Sequence, residues 1–435
     1  MKQIKRFIII FSSGILLCTC QLDKMSKRTS LLNFSHLERL TQEIILGEDT
    51  AAFVAIYSNY PDYCPVEAEG EGLACVDDVA RAAILYLRHY KYTNDPISLK
   101  RSKKLLTFLL QMQAENGLFY NFIYSDHSIN RERNNSQPLA DWWTWRACWA
   151  LAEGQEILRK NYPDLSDRLV FHLEKAFFAI DSLLQYYPQT LTFNGLELPR
   201  WLPYNYASDQ AAIILLILNS YYSISSQGEV TDKLHKFAEG ILKMQYGDSE
   251  NFPYGCFLSW ENSWHAYGNV QSYALLRTAN ILKEEHYAQE AINEITHFYP
   301  YVWGKNLLHS FSIRSQNGTI TILNPQFFPQ ISYGIRPMVW ACLEAYRWRG
   351  KKKYAEMAGE FACWLLGKNV AKQALYDPAS GRCFDGIDDS SKINKNSGAE
   401  STIEALLILL EAEQNPISKK IIHDYYSKKI IQESS

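Results

Sequence analysis

Acidic side chains near the two ends of the chain are the residues best suited to do chemistry. Asp77 and Asp78 stand together near the N-terminal end, Glu400 lies close to the C-terminal end, and Glu261 falls between two tryptophans. Most glycoside hydrolases use two carboxyl groups, one as a proton donor and the other as a base or nucleophile. We therefore take Asp77, Asp78, Glu261 and Glu400 as candidate catalytic residues.

Simpler structural roles are open to the same acids. Asp77 is typical of a helix N-cap, and the spacing of Asp78 from Arg81 is that of an ion pair on a helix. Ser397 and Glu400 match a capping box. A helix N-terminus also favours the ionised form of a carboxyl group, which works against Glu400 as a general acid. For Glu261 the alternative is a solvated loop charge.

Aromatic and polar side chains provide the second part of a sugar site. Indole rings offer flat apolar faces, and guanidinium, imidazole and amide groups bond to hydroxyls. The alternatives are burial for the tryptophans, helix capping for the aspartate and loop structure for the asparagines. The candidate substrate-binding residues are Trp142, Trp145, Arg146, Asp209, Trp264, His265, Asn269, Arg336, Asn394 and Asn396.

Composition narrows the class of ligand. The 435 residues include 44 Lys and Arg against 47 Asp and Glu, and aromatic residues make up 14%. A nucleic-acid binder normally has a basic excess, so we expect an oligo- or polysaccharide partner and no nucleic acid. Phosphate-loop, dinucleotide and zinc motifs do not occur in the sequence, so we expect no cofactor and no metal. Asp385, Asp388 and Asp389 are the alternative, a Ca²⁺ site, but their spacing is not that of an EF-hand.

The elements that must position these residues are helices. Apolar residues recur at i, i+3, i+4 and i+7, which predicts twelve helices. Short links follow the even-numbered helices and long loops precede them; long loops of this kind are usually functional. If the even-numbered helices form a parallel inner ring, their N-termini and the long loops share one rim. The predicted helices lie near residues 34–46, 77–92, 96–114, 139–158, 164–186, 204–226, 230–245, 264–283, 285–302, 332–348, 351–367 and 398–413.

Two segments at inner-helix N-termini resemble those of bacterial toroid proteins found in glycan-handling contexts. The segments are Cys75-Val76-Asp77-Asp78-Val79-Ala80-Arg81-Ala82 and Asn394-Lys395-Asn396-Ser397-Gly398-Ala399-Glu400-Ser401-Thr402. With the alternating helices, they make the chain similar to the six-hairpin glycosidase superfamily over residues 34–414. This resemblance implies an all-α fold, the (α/α)6 toroid of six helical hairpins. The two segments indicate a subgroup and do not name a reaction.

The resemblance also implies a division of roles among the acids. In toroid glycosidases similar to family-nine cellulases, paired aspartates at the first inner helix supply the base, and a glutamate at the last inner helix supplies the acid. Ring closure makes those two helices neighbours. The matching positions here are Asp77 and Asp78 at one end and Glu400 at the other. The aspartates are adjacent rather than separated by Ala-Gly, which leaves open which of them would hold the water.

The N-terminus is typical of an export signal. Positive residues precede an apolar stretch at 7–17, which is too short to span a membrane. Leu17-Cys18-Thr19-Cys20 resembles the bacterial lipoprotein signal; an ordinary secretory signal is the alternative. We therefore expect a signal peptide at 1–19, a lipid on Cys20 and a tether at 20–33, so that the protein is exported and touches the envelope membrane only through its lipid. Residues 415–435 are interpreted as a polar tail.

These patterns predict an exported, lipid-anchored carbohydrate-active enzyme, specifically a glycoside hydrolase with an acid–base pair at the inner-helix N-termini. A polysaccharide lyase or sugar epimerase on the same fold is one alternative, with Tyr206, His265, Tyr267 or Arg336 moving a proton. The weak acidity of the chain does not favour a polyanionic lyase substrate. A non-catalytic glycan-binding lipoprotein is the other alternative.

Overall fold

Helices form most of the computed structural model, which describes residues 30–46, 49–225 and 227–434. The predicted signal peptide, Cys20 and the first part of the predicted tether lie outside these residues. In chain order the helices are α1 (Ser35–Leu40), α2 (Val76–Thr93), α3 (Pro96–Gln111), α4 (Trp142–Leu158), α5 (Pro163–Lys175), α6 (Phe177–Leu184), α7 (Ser208–Tyr221), α8 (Gln227–Lys243), α9 (Gln271–Leu282), α10 (Glu285–Gly304), α11 (Ser332–Arg349), α12 (Lys352–Ala362), α13 (Ala399–Gln414) and α14 (Pro416–Ser434).

Short antiparallel strands occupy the segments between the helices. The largest sheet is three-stranded and joins β11 to β12 and β13. All the strands precede an inner helix of the ring described below, so they shape one rim. The strands are β1 (Thr41–Leu46), β2 (Asp49–Val54), β3 (Tyr57–Asn59), β4 (Cys64–Val66), β5 (Ala74–Cys75), β6 (Phe122–Ile123), β7 (Thr190–Phe193), β8 (Leu196–Pro199), β9 (Gln245–Tyr246), β10 (Cys256–Phe257), β11 (Ser263–His265), β12 (Ser310–Gln316), β13 (Thr319–Gln326), β14 (Tyr376–Asp377), β15 (Arg382–Cys383), β16 (Gly386–Ile387) and β17 (Ile393–Asn394).

Six helices form a closed inner ring: α2, α4, α7, α9, α11 and α13. Each packs against the next, and α13 returns to pack against α2. These helices are apolar on most sides because neighbours cover both flanks and the outer face; in α7 the run 211–218 is wholly buried. The outer helices α3, α5 with α6, α8, α10, α12 and α14 surround the ring. The predicted fold class, the all-α (α/α)6 toroid, is confirmed.

The order of inner and outer helices differs from the prediction. The predicted helix at 34–46 is only the six-residue α1 followed by β1, which pairs with β2. The predicted tail is instead α14, the outer partner of α13. Ser418 and Ile422 on α14 are fully buried. Each hairpin therefore begins with its inner helix, because the chain reaches the sixth outer position at its C-terminal end.

The end of the predicted tether is fixed to the toroid. Ser30 Oγ donates a hydrogen bond of 2.5 Å to Glu413 Oε2, and the amide of Leu31 donates to Glu413 Oε1 at 2.9 Å. The side chain of Leu31 is buried. The chain is thus held in place from residue 30 onward. Among the helices of the described ranges, none has both the length and the apolar surface that a membrane span needs.

A cluster of charged side chains lies inside the base of the ring, where the inner helices end. Arg88 on α2 donates to Glu153 on α4 at 2.6 Å and to Glu411 on α13 at 3.2 Å. Arg347 on α11 donates to the other oxygen of Glu411 at 3.1 Å. The Arg88 guanidinium also lies 4.3 Å from the ring centroid of Trp340. These contacts join four inner helices at the end opposite the long loops.

One buried carboxyl group, Glu294 on α10, lies in the wall of the toroid without a cation beside it. It accepts hydrogen bonds from the amide of Phe257 at 2.9 Å and from Ser272 Oγ at 2.6 Å. Burial raises the pKa of Glu294 to about 7. The folded protein therefore retains a proton that the unfolded chain has already lost near pH 4.5.

The contribution of Glu294 to stability is expected to fall as the pH rises from about 4.5 to 7. In this window the folded state keeps a proton on this carboxyl group that the unfolded state has released, which corresponds to a loss of about 3 kcal/mol. Glu294→Gln keeps the shape of the side chain but removes its charge. The free energy of unfolding of this variant, measured with urea at pH 5 and pH 8, should therefore depend less on pH than that of the wild type. Glu290→Gln, at a more exposed position on the same helix, is the control. Equal pH dependence in the two variants would contradict this assignment.

Candidate functional site

The candidate catalytic acids of the first and last inner helices meet at one mouth of the ring. Asp77 and Asp78 lie in the first turn of α2, and Glu400 lies in the first turn of α13. Two cavities open beside them, of about 440 and 460 Å³. Asp77, Arg81 and Glu400 line both cavities, so these three residues mark the place where the cavities meet.

The two cavities differ in chemistry. The first, here called the aromatic cavity, is lined by Trp142, Trp143, Trp260, Tyr267 and Tyr333 among others. The second, the acidic cavity, adds Glu71, Asp78, Asp385 and Asp388 to the shared residues. A ligand that spans both cavities would meet rings on one side and carboxyl groups on the other.

Arg81 is the centre of the charged network at the mouth. Its side chain is 5% exposed, and it donates to Asp78 at 2.7 Å. The same guanidinium pairs with Glu400 at 2.9 Å and with the fully buried Glu404 at 3.5 Å. The predicted pairing of Asp78 with Arg81 is present, but it is only one of several contacts by which this arginine ties α2 to α13.

The shared arginine limits the distance between the two candidate catalytic groups. Nη2 of Arg81 lies 3.4 Å from Asp77 Oδ2 and 2.9 Å from Glu400 Oε2. Because both oxygens contact the same nitrogen, they are separated by no more than the total of these two lengths, 6.3 Å. Residues more than 300 positions apart in the chain thus form one acid pair.

Asp77 also binds a second arginine. Arg146 on α4 donates to Asp77 Oδ2 and to the hydroxyl of Tyr333. The Arg146 guanidinium lies 4.7 Å from the ring centroid of Trp142, and that of Arg81 lies 4.6 Å from the centroid of Tyr333. Asp77 is therefore held between two cations, each packed on an aromatic ring.

The two adjacent aspartates have opposite pKa shifts. Burial acts to raise the pKa of Asp77, but the charges of Arg146 and Arg81 outweigh it, and the pKa lies below its ordinary value. Burial raises the pKa of Asp78 to about 6, against the effect of Arg81. The second oxygen of Asp78 accepts from the Cys75 thiol at 3.3 Å. Asp77 is thus an ionised group at the cavity surface, whereas Asp78 lies behind it as a partner of Arg81.

The predicted helix caps are wrong for these acids. The N-cap of α2 is Cys75, whose sulfur accepts from the amide of Asp78 at 3.4 Å. The capping box at Ser397 does not form, since α13 is capped from outside: Asp385 accepts from the amide of Gly398 at 2.8 Å. Asp77 and Glu400 turn to Arg81 instead, because its charge is a stronger partner than a neutral amide.

A histidine supported by a buried carboxylate lies in the aromatic cavity. Asp209 on α7 is fully buried, and its Oδ2 is 3.1 Å from Nε2 of His265 at the end of β11. The α7 N-cap is Ala207 and not Asp209, although Oδ1 of Asp209 accepts from the first-turn amide of Gln210 at 2.7 Å. Tyr267 bonds Nε2 of His309 at 2.7 Å close by. A carboxylate on one ring nitrogen fixes the orientation of the imidazole, as in enzymes that use histidine to move protons.

Two of the predicted sugar platforms belong to the core instead. Trp145 is fully buried, and its indole donates to Gln210 on α7 at 2.9 Å. Trp264 is buried and stacks on Phe311 with ring centroids 5.5 Å apart. Helical spacing puts Trp145 on the face of α4 that α7 covers, whereas Trp142, in the first turn, reaches the aromatic cavity. Trp143 also lines that cavity and was missed.

The remaining predicted residues play supporting roles. Glu261 lies in a tight turn with φ of +52° and lines neither cavity. Asn269 donates to the carbonyl of His265, and Arg336 pairs with Glu404 beneath the mouth. Asn394 lines the acidic cavity, while Asn396 accepts from the amide of Tyr60 at 3.1 Å.

The acids considered for Ca²⁺ do not converge. Asp385 accepts from Gly398 and Ser401, Asp388 pairs with Lys392 at 2.9 Å, and Asp389 accepts from amides of its own turn. No cluster of three metal-ligating side chains occurs among the described residues. Sequence reasoning missed Tyr333 in the first turn of α11 and Glu404 in the second turn of α13, for which the only signal was a place near the start of an inner helix.

Comparison with known proteins adds information on the fold. No protein-family model matches the chain, and no curated protein matches it. A cellobiose 2-epimerase from Bacillus thermoamylovorans is similar in structure, with a TM-score of 0.61, 9% identity, and coverage of 93% of this chain and 100% of the other. A sugar epimerase from a ruminal bacterium has a TM-score of 0.58 at 12% identity, covering 91% and 99%.

A family 76 glycoside hydrolase from Bacteroides thetaiotaomicron is also similar, with a TM-score of 0.54 at 13% identity, and covers 92% of this chain and 79% of the other. At such low identities the likeness concerns the fold. The chain shares the (α/α)6 toroid fold with these proteins.

Proposed function

We propose that the protein is a carbohydrate-active enzyme that hydrolyses glycosidic bonds. The observation that carries this proposal is the contact of Asp77 and Glu400 with one nitrogen of Arg81 at the place where the two cavities meet. A glycosidic bond at this place would have a sugar unit in each cavity. The limit of 6.3 Å between the two oxygens lies below the roughly 6.5–9.5 Å that leaves room for a water in inverting glycosidases, and it includes the roughly 5–5.5 Å of retaining enzymes.

Asp77 and Glu400 take different roles in this proposal. Asp77 is held ionised by Arg146 and Arg81, which suits a nucleophile that attacks the sugar carbon as the bond to the leaving oxygen breaks; water then releases the sugar from Asp77. Glu400 is the more exposed of the two, with 40% of its side chain accessible, and acts as the proton donor to the leaving oxygen. Arg81 and Asp78 are positioning residues: Arg81 orients the pair through its contacts with Asp77 and Glu400, and Asp78 holds Arg81 at 2.7 Å.

The charge of the acidic cavity favours a neutral glycan. Arg81 is the only cation among the residues that line this cavity. Six carboxyl groups line it as well: Glu71, Asp77, Asp78, Asp385, Asp388 and Glu400. Such a surface repels uronates and sulfated sugars. This argument weakens the polysaccharide lyase as an alternative.

Sugar epimerisation is a second candidate because of one specific observation, the pairing of His265 with the buried Asp209 in the aromatic cavity. Tyr267, which bonds to His309, lies beside this pair, and the ring centroids of Tyr267 and His265 are 5.0 Å apart. These groups could move a proton at a sugar carbon without cleaving a glycosidic bond. Two of the similar structures are sugar epimerases, which supports keeping this candidate.

One experiment separates the two reactions. A panel of neutral oligosaccharides is incubated with the protein in D₂O, and new reducing ends and carbon-bound deuterium are followed by NMR. Hydrolysis gives new reducing ends without deuterium in the sugar skeleton. Epimerisation gives deuterium at carbon without shorter products. Deuterium incorporation that depends on His265, with no cleavage, would overturn the hydrolase proposal.

The two tryptophans on α4 provide a matched test of the sugar platform. Trp142→Ala is expected to raise KM by roughly three- to tenfold with little change in stability, because its ring lines the aromatic cavity. Trp145→Ala is expected to lower the free energy of unfolding by about 3–5 kcal/mol, because its ring is in the core. Steady-state kinetics and urea unfolding measure the two effects. Equal loss of stability in both variants would contradict the assignment.

We also propose that the protein is exported and lipid-anchored through Cys20, as the N-terminal sequence predicts. Radiolabelled palmitate should be incorporated into the full-length protein in its bacterial host, and the protein should sediment with membranes. Cys20→Ser should abolish both, whereas Cys18→Ser should keep both. Labelling that persists in the Cys20 variant would refute the anchor.

A further inference from the structure

A groove at the outer edge of the ring lies apart from the two cavities of the mouth. Its volume is about 360 Å³. Trp303 at the end of α10, Gln330 before α11, Trp364 after α12, Asn369 in the next loop and Tyr425 on α14 line it. The groove therefore combines the ends of three neighbouring hairpins.

Three buried polar atoms in this groove lack hydrogen-bond partners within the described parts of the chain. They are Oε1 of Gln330, Nε1 of Trp364 and Oδ1 of Asn369. Gln330 is 3% exposed and Trp364 is 1% exposed. A buried polar atom without a partner is costly because it has lost its bonds to water, so native folds contain few of them. Three such atoms around one groove indicate a site built to bond something else.

The same side chains are fixed in orientation. Nε2 of Gln330 donates to the carbonyl of Asn306 at 2.7 Å and to that of Leu307 at 3.1 Å. Nδ2 of Asn369 donates to the carbonyls of Trp364 and Gln373, both at 2.8 Å. Each amide thus uses its NH₂ group within the protein and leaves its oxygen unpaired. Rotation of either amide would break these bonds.

The unpaired atoms define the chemistry of the ligand. Two carbonyl oxygens need donors, and one indole N–H needs an acceptor. Hydroxyl groups meet both needs, whereas a carboxylate or phosphate would oppose the two oxygens, and an ammonium group would leave the indole unpaired. The groove's two lysines, Lys368 and Lys372, lie exposed at its edge, and Lys368 is paired with Glu360. Trp303 and Tyr425 are half-buried and offer ring faces.

The segment 329–331 contributes side chains to both the groove and the acidic cavity. Pro329 and Ile331 line the acidic cavity, while Gln330 between them lines the groove. The amide and carbonyl of Gln330 both bond to Ile387 at 2.9 Å, next to Asp388 of that cavity. A sugar chain leaving the acidic cavity would cross this segment and reach the groove.

We propose that this groove is a second binding site for neutral, hydroxyl-rich sugar units, distinct from the reaction site. It binds either a remote part of a polymer held in the mouth or a separate glycan. The hydroxyls pair with the unpaired atoms of Gln330, Trp364 and Asn369, and a sugar ring packs on Trp303 and Tyr425. The proposal does not depend on which reaction takes place at the mouth.

Calorimetric titration of the full chain tests it, with cellohexaose, maltohexaose and mannohexaose as probes. The protein should bind one of them at two sites per chain. Trp303→Ala and Tyr425→Ala should each weaken one binding event at least tenfold and leave the other unchanged. Tyr186→Ala, at an exposed tyrosine elsewhere on the outer ring, is the control. Thermal unfolding checks that each variant is folded.

The outcomes separate this site from the proposed reaction. In Asp77→Asn the groove event should persist even if binding at the mouth is lost. If a disaccharide also binds at the groove, the groove takes a separate glycan. If the groove variants raise KM only for hexasaccharides, the groove holds a remote part of the substrate. Identical titrations for the wild type and both groove variants, or no binding of any probe, would overturn the proposal.

Discussion

Replacement of Asp77 by Asn will reduce kcat for glycan cleavage by a factor on the order of 10³ and leave the fold intact. The amide has the same shape and can still accept from Arg81 and Arg146, but it cannot attack the sugar carbon. Without the covalent step, only the slower direct route to cleavage remains. The loss should appear in kcat rather than in KM, because the carboxylate acts in the transition state.

Glu400→Gln should behave differently, and the difference tests the assigned roles. A proton donor matters most for a poor leaving group, so this variant should be slow on natural glycans and nearly normal on aryl glycosides with acidic phenols. Asp77→Asn should be slow on both. Asp388→Asn, in the acidic cavity but paired with Lys392, is the control and should keep its rate. Full activity of Asp77→Asn on glycans would remove Asp77 from the mechanism.

Replacement of Arg81 by Met will lower the free energy of unfolding by about 3–5 kcal/mol and abolish activity. The change leaves the buried Asp78 and Glu404 without this partner, and removal of one member of a buried ion pair is strongly destabilising. It also releases Asp77 and Glu400 from their common nitrogen. Urea unfolding and turnover of the folded fraction at low temperature measure the two effects.

Arg88→Met is a matched control, because Arg88 lies two turns further along α2 and is also buried among carboxylates. It contacts Glu153 and Glu411 at the base of the ring, far from the mouth. A similar loss of stability is expected, with kcat of the folded fraction unchanged. If Arg88→Met also abolished turnover, or if Arg81→Met kept it, the role of Arg81 in the acid pair would be refuted.

The helical periodicity predicted twelve helices, and the family resemblance implied the toroid that they form. The periodicity could not predict which segment completes the outer ring. The Lys pairs of residues 415–435 conceal the buried positions Ser418 and Ile422, and residues 34–46 carry an apolar pattern that forms a short helix and a strand. An apolar pattern indicates that one face of a segment is buried, but it does not indicate which neighbouring element covers that face.

The sequence predicted which types of residue form the candidate site and that they lie on the rim at the inner-helix N-termini. Asp77, Asp78 and Glu400 were identified because acids stand at the starts of the first and last inner helices. Trp145 and Trp264 were misassigned because exposed and buried indoles have the same sequence signal. Arg81 was predicted only as a local partner of Asp78, since a contact with Glu400 more than 300 residues away has no sequence signature.

By itself the sequence determined the helical hairpins, the long loops before the inner helices and the acids at helix starts, because helix periodicity and loop length are local properties of the chain. Only the tertiary structure decided that Arg81 joins Asp77 to Glu400, that Asp209 supports His265, and that three polar atoms around the outer groove have no partner among the described residues. The physical reason is ring closure, which brings distant segments within hydrogen-bonding range and so fixes the partner and protonation of each buried group.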